Sequence, residues 1–179
     1  MDKVEQPVGP ASFVEMQRFS QPWIWILTLP LCLGGAGWSI WGAIGQLAQG
    51  RPFGDEPMSN AGLLVATLII VPILLGILWL IARARLHIEV HGDGLYLRFA
   101  PFHRRWRRIG WDQITRAEAR TYRPILEYGG WGIRMGRHGW AYNVRGNRGL
   151  QLELAGGRRI LIGSQQAERL EQAVATARR

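Results

Sequence analysis

The 22 residues from Ala61 to Ala82, AGLLVATLIIVPILLGILWLIA, decide the class of the fold, because none of them is charged. At about 1.5 Å of rise per residue, such a helix outspans the roughly 30 Å hydrocarbon core of a bilayer. Upstream, Trp23 to Gln46, WIWILTLPLCLGGAGWSIWGAIGQ, is equally free of charge. Core helices of water-soluble proteins rarely run uncharged for so long. Two transmembrane helices, 23–46 and 61–82, are therefore predicted, joined by an external loop, 47–60. The first is not a signal peptide. Its leader, 1–22, carries Asp2, Glu5 and Glu15 against Lys3 and Arg18, and its apolar run exceeds the roughly 7–15 residues of a signal-sequence core.

Orientation follows the basic residues. The loop 47–60 has one, Arg51, beside Asp55 and Glu56. The flank after Ala82 begins with Arg83 and Arg85 and continues to Arg98, Arg104, Arg105, Arg107 and Arg108. This predicts a protein of a bacterial cytoplasmic (inner) membrane with both termini in the cytoplasm. Within the first span, Gly35, Ser39 and Ala43 recur every four residues, a row of small side chains that lets another helix backbone approach closely. The partner is either the second span of the same chain or a second copy in a homo-oligomer. Neither span holds Asp, Glu, Lys, Arg or His, which leaves no candidate proton relay, ion pathway or helix-borne haem ligand.

The rest of the composition narrows the choice further. A chain of 179 residues has room for one domain plus appendages. A hydrophobic share of 47% with 10% aromatics excludes a disordered chain. A single cysteine, Cys32, excludes an internal disulfide and a multi-cysteine zinc site. The charge, 22 − 13 = +9, is concentrated after the second span, where 19 arginines oppose 8 acids. An anionic inner leaflet accounts for that sign. No nucleic-acid-binding module is present, so nucleic acid is not expected as a partner.

From Leu86 onward the period of the sequence becomes two. Leu86, Ile88 and Val90 alternate with His87, Glu89 and His91, Gly92-Asp93-Gly94 turns, and Leu95 to Phe99 returns. Further strands are predicted over 105–111, 115–122, 131–135, 140–144, 150–154 and 159–162. A final helix follows, capped by Ser164, with Ala167, Leu170, Val174 and Ala177 on one apolar stripe. The expected fold is a two-helix transmembrane hairpin plus an α+β domain over 86–179, about seven antiparallel strands in a small barrel closed by the C-terminal amphipathic helix.

The phrases Val90-His-Gly-Asp-Gly-Leu95, Ile109-Gly-Trp-Asp-Gln-Ile114, Glu127-Tyr-Gly-Gly-Trp-Gly-Ile-Arg134, Ala141-Tyr-Asn-Val144 and Ile160-Leu-Ile-Gly-Ser-Gln165, set behind two membrane spans, resemble the bacterial pleckstrin-homology-like (PH-like) membrane proteins. The likeness covers roughly residues 61–179. It implies a fold and a membrane setting more than an activity. The basic headgroup-binding loop of eukaryotic relatives corresponds here to Gly92-Asp93-Gly94, which has an acid and no base, so that property is not implied.

Three groups of residues are candidates for a site. Arg104, Arg105, Arg107 and Arg108 surround Trp106, and would hold the domain on an anionic leaflet with Trp106 in the headgroup region. A strand cannot present all four on one surface, but Pro101 favours a loop for the first half. Tyr128, Trp131, Arg134, Trp140, Tyr142 and Arg145 interleave aromatics with arginine, the residue types enriched at interface hot spots. They would form a partner groove, or else the core of the small barrel. His87, Glu89 and His91 share a strand face and form a weak metal-ligand set. The bland reading of that row is a solvent-facing polar face. No nucleophile elbow, phosphate loop or paired carboxylates appear, and no cofactor is called for. The expected function is a non-catalytic, membrane-anchored interaction or scaffolding module that binds a protein partner or an anionic lipid surface. The alternative is a membrane-bound enzyme or metal-dependent domain built on the His87, Glu89 and His91 face.

Overall fold

The computed structural model describes every residue except Met1, Glu5 and Val8. The chain divides into two compact units, Ser20–Ala82, and Met1–Phe19 together with Arg83–Arg179.

The first unit is a helical hairpin. Helices α1 (Pro22–Gln49) and α2 (Asn60–Arg83) are both long and apolar enough to cross a membrane. Most of their large side chains face outward, Ile26, Leu31 and Leu68 among them, as a lipid-exposed surface requires. The row Gly35, Ser39 and Ala43 faces α2. A Cβ on Gly35 would lie 3.1 Å from Leu74 Cδ1, Ser39 Oγ donates to Thr67 Oγ1 at 3.2 Å, and Ala43 is buried. At the turn, Gln46 Nε2 donates to the Met58 carbonyl and to Asn60 Oδ1, at 2.7 and 3.0 Å. Phe53 packs over Gly42, where a side chain would collide with the ring.

The second unit contains ten strands, against about seven expected. They are β1 (Asp2–Val4), β2 (Phe13–Arg18), β3 (Arg85–His91), β4 (Gly94–Ala100), β5 (Trp106–Gly110), β6 (Ile114–Thr121), β7 (Gly132–Gly136), β8 (Gly139–Asn143), β9 (Arg148–Leu154) and β10 (Arg159–Gly163). A short helix α3 (Pro124–Tyr128) precedes β7, and α4 (Ala167–Ala177) ends the chain. The strands form two five-stranded sheets, ordered β1-β5-β4-β3-β2 and β6-β9-β10-β8-β7. Each keeps two free edges, so the expected barrel is not closed. The strands are not all antiparallel either, because β10 pairs with β8 in parallel. Glycines at both ends of that pair explain the close approach. A Cβ on Gly139 would sit 2.1 Å from the Arg159 carbonyl oxygen, and one on Gly163 would sit 2.7 Å from Asn143 Cβ.

One core unites the sheets. Leu86, Ile88 and Val90 of β3, Leu95, Leu97 and Phe99 of β4, and Ile109 of β5 meet Leu150, Leu152 and Leu154 of β9 and Ile160 and Ile162 of β10. Leu170 and Val174 of α4 complete it, with Ala177 packed alongside. Each fully buried Leu, Ile or Val side chain contributes about 1.5–3 kcal/mol relative to an exposed one. The other face of the second sheet carries a smaller cluster, Tyr122, Tyr128, Ala141 and Leu161. Strand alternation separates Leu161 from its neighbours Ile160 and Ile162 in this way.

The residues before the first helix belong to this domain. Strand β2 pairs with β3 from Phe13↔Val90 to Arg18↔Arg85, and β1 pairs with β5. The pattern of β2 is inverted. Val14 and Met16 point outward, 61% and 47% exposed, while Glu15 and Gln17 are buried. Glu15 accepts from Ser164 Oγ at 2.5 Å and from the Gln165 backbone N–H at 2.8 Å, and Gln17 Nε2 donates to the Gly163 carbonyl at 2.7 Å. Ser164 therefore does not serve as the expected N-cap, a position that Gln166 holds. Its hydroxyl instead donates to Glu15 and accepts from the Gln166 N–H.

Glu15→Ala would leave a buried hydroxyl and a partly buried N–H without their acceptor. Hydrogen bonds to a charged group contribute about 1.5–3 kcal/mol each, so we expect a loss of about 3 kcal/mol, read as a lowered unfolding midpoint of the full-length protein in detergent. Glu15→Gln should lose less, and an unchanged midpoint in Glu15→Ala would contradict the clasp.

Candidate functional site

Strand β4 stops at Ala100, and the chain crosses to β5 through a loop over 101–105. The loop is pinned at its centre, where the His103 N–H donates to the Phe99 carbonyl at 2.7 Å and the Phe99 N–H approaches His103 Nδ1 at 3.4 Å. Beside it, β1 places Lys3 directly opposite Arg107. Lys3, Phe102, His103, Arg104, Arg105 and Arg107 together line a cleft of about 370 Å³. Four of these six side chains are basic, and no carboxylate lines the cleft among the described residues.

The inner wall is ordered by Arg107. Its Nη1 donates to the Tyr142 hydroxyl at 3.0 Å, and the guanidinium lies 6.0 Å from the centre of that ring. The His103 ring is 5.8 Å from the same tyrosine. Burial, then the charges of Arg107 and Lys3, push the His103 pKa down to about 4. The ring is therefore neutral at physiological pH. With Nδ1 accepting from Phe99, its remaining proton is on Nε2, which makes His103 an uncharged donor.

The four predicted arginines do not share a surface. Arg104 and Arg105 are exposed in the loop. Arg107 and Arg108 are consecutive on β5, so they point to opposite faces. Arg108 leaves the cleft for Asp93, donating to its carbonyl at 2.7 Å, with a 2.8 Å ion pair to its carboxylate. Trp106 corrects the expectation of a residue free to enter the headgroups. It is only 6% exposed, covered by the Arg98 guanidinium at 4.8 Å and met at its edge by His87 at 6.1 Å. A strand position flanked by long side chains on the neighbouring strands buried it.

The aromatic and arginine set divides as well. Tyr142 lies in the main core and Tyr128 in the small cluster on the opposite face of the sheet. Trp131 Nε1 donates to the Gly146 carbonyl, and Arg134 Nε to the Trp131 carbonyl, both at 3.0 Å. Trp140 is 46% exposed, and Arg145 is exposed with its carbonyl accepting from Gln165 Nε2. Of the six, only Arg134, Trp140 and Tyr142 lie on strands, β7 and β8, while Tyr128 ends α3 and Trp131 and Arg145 lie in the connections. The row His87, Glu89 and His91 is not solvent-facing throughout. His91 is buried, with Nε2 2.9 Å from Glu89 and Nδ1 3.1 Å from the Gly9 carbonyl, because the N-terminal segment crosses over it. Among the described residues, no group of three or more metal-ligating side chains is assembled.

The cleft includes residues that the sequence reading did not group, Lys3 and Phe102 above all. One signal was available, since Lys3 is the chain's sole lysine. Titration of the full-length protein followed by the His103 ring resonances should give a midpoint near 4, well below the ordinary 6.5. A histidine held neutral by the fold contributes stability above its unfolded pKa, lost as pH falls through the folded one. Unfolding resistance should accordingly decline between about pH 6.5 and 4. Arg107→Gln should raise the midpoint, and a wild-type midpoint of 6.5 or more would contradict the site as described.

No protein-family profile matches the chain, and no curated protein or solved structure shows significant similarity to it.

Proposed function

We propose that the chain is a membrane-anchored, non-catalytic interaction module whose PH-like domain is held against an anionic leaflet. One observation carries this reading, the register of β2, β3 and β4. Arg18 pairs with Arg85, and Arg85 with Ala100. Both covalent links to the helices therefore leave the sheet at the same end, the end from which the loop 101–105 also projects. With both helices spanning a bilayer, that end is the one tethered at the surface. It carries Arg18, Arg85, Arg104 and Arg105, and each arginine near an anionic leaflet contributes about 1 kcal/mol.

The same pairing requires the chain before α1 and the chain after α2 to lie on one side of the membrane, as a hairpin of two spans provides. The arginine-rich flank assigns that side to the cytoplasm of a bacterial cell. Two sheets on a common core, closed by a C-terminal helix, support the PH-like likeness. Of the two expected partners, we take lipid, which the arginines at that end of the sheet support.

Two measurements test the reading. Reporter fusions at Arg179 and within the loop 51–57 should report opposite compartments, with Arg179 cytoplasmic. In a Cys32→Ser background, a fluorophore on Phe102→Cys should be quenched by headgroup-labelled lipid more strongly in phosphatidylglycerol-rich than in phosphatidylcholine nanodiscs. The difference should fade as salt shortens the Debye length from about 8 Å to about 3 Å. A periplasmic Arg179, or quenching indifferent to lipid charge, would contradict it.

A further inference from the structure

We propose that the loop end of the helical hairpin holds one glycerophospholipid, with its phosphate on Arg51 and part of one acyl chain in the cavity between the loop and α1. The proposal rests on the reading of α1 and α2 as membrane spans and is independent of how the β-sheet domain meets its leaflet.

The cavity is made by a chain reversal. Helix α1 ends where Gly50 takes a left-handed conformation, φ 63°, which a side chain would strain. The next residues fold back along the helix they have just left. The Arg51 N–H donates to the Gly45 carbonyl at 3.0 Å, and the Phe53 N–H donates to Gln46 Oε1 at 3.1 Å. Gln46 also holds Asn60 of α2. The Phe53 ring lies over Gly42, with the rings of Trp38 and Trp41 at 5.6 and 6.2 Å. These contacts fix the reversal before any ligand arrives.

Between the reversal and the helix remains an open space of about 270 Å³. Trp41, Ile44, Pro52 and Phe53 give it apolar walls, and Gly45 leaves one side bare, since a Cβ there would meet nothing within 4 Å. Walls that face an empty gap forfeit dispersion contacts, so an apolar occupant stabilises the reversal. Among the described residues the lining carries a single charge, Arg51, and no carboxylate.

Apolar walls beside one cation suit a ligand with an acidic head and an apolar tail. At the end of a membrane span, the molecule of that kind at hand is a phospholipid. A guanidinium fork matches the paired oxygens of its phosphate, and tryptophan rings favour that interfacial depth. The volume is just under the roughly 300–1,000 Å³ of pockets that enclose a small molecule. The cavity therefore takes a length of one chain, and the rest of the lipid stays in the leaflet. Interfacial anchoring alone would account for the tryptophans, and the helix dipole alone for a cation beside the C-terminus. Neither accounts for the bare side at Gly45.

Native mass spectrometry of the full-length protein in mild detergent tests this. After delipidation, dioleoyl phosphatidylglycerol, dioleoyl phosphatidylethanolamine or dioleoylglycerol is added back at the same concentration. Either phospholipid should be retained at one per chain, and dioleoylglycerol, which has the same tails and no phosphate, should not. Gly45→Leu puts a side chain into the cavity where its Cβ meets no neighbour, and should abolish retention. Gly34→Leu, on the same helix, equally free of neighbours and outside the cavity, should keep it. Arg51→Gln leaves the backbone bond to Gly45 in place and should weaken retention about tenfold, as loss of one charge-assisted bond does. Arg51→Lys should recover part of it. Dioleoylglycerol held as well as phospholipid, retention indifferent to Gly45→Leu and Arg51→Gln, or no retention at all would overturn the proposal. Release of the full-length protein from membranes by alkaline carbonate would overturn the membrane reading and the site with it; a protein that resists release and retains no lipid loses the site alone.

Discussion

A strand that precedes the first apolar helix pairs with a strand that follows the second, and the rest of the structure hangs on that pairing. Six residues of β2 run beside β3, and the inward side chains of β2 are polar because of what they meet there. The junction between β10 and α4 leaves the Gly163 carbonyl, the Ser164 hydroxyl and the Gln165 N–H in need of partners, and Gln17 and Glu15 supply them. Buried backbone groups without a partner are costly, so the junction and the leader stabilise each other. The clasp joins the two ends of the domain across the whole helical hairpin. It also puts the chain before α1 and the chain after α2 into one sheet.

That constraint shapes the electrostatics as well. With β2 on one edge and β1 on the other, the leader frames the first sheet and brings Lys3 to Arg107. The outer face of the sheet spends its charges on internal contacts, Arg98 on Trp106, Arg108 on Asp93, Glu89 on His91.

Much of this architecture was legible in the sequence. The helices follow from two uncharged runs, and their packing row from Gly35, Ser39 and Ala43. Strands β3, β4, β9 and β10 follow from alternation and Asp-Gly or Gly-Gly turns, and the stripe of α4 from its spacing. The leader strands were not legible. Glu15 and Gln17 point inward and Val14 and Met16 outward, so the apolar side of β2 marks the wrong face as buried. The parallel pairing of β8 with β10 was equally hidden, because close approach at Gly139 and Gly163 is a tertiary event. For the site, the basic run at 104–108 and its division between loop and strand were visible, but the burial of Trp106 was not. Loop and strand share the run, and the strand sends Arg107 inward, Arg108 outward and Trp106 under Arg98. Lys3 lies too far away in sequence to be grouped with them.

The most direct test of the account is a disulfide across β2 and β3. Met16 and His87 are opposite in the register, and paired antiparallel residues have Cα atoms about 4.5–5.5 Å apart, within disulfide range. In a Cys32→Ser background, Met16→Cys with His87→Cys should form an intramolecular disulfide in native membranes under mild oxidation, detected in digested peptides, while Met16→Cys with Arg116→Cys should not. If the Met16 and His87 pair fails to cross-link, or links only between separate chains, the leader is not part of the domain and the account is wrong.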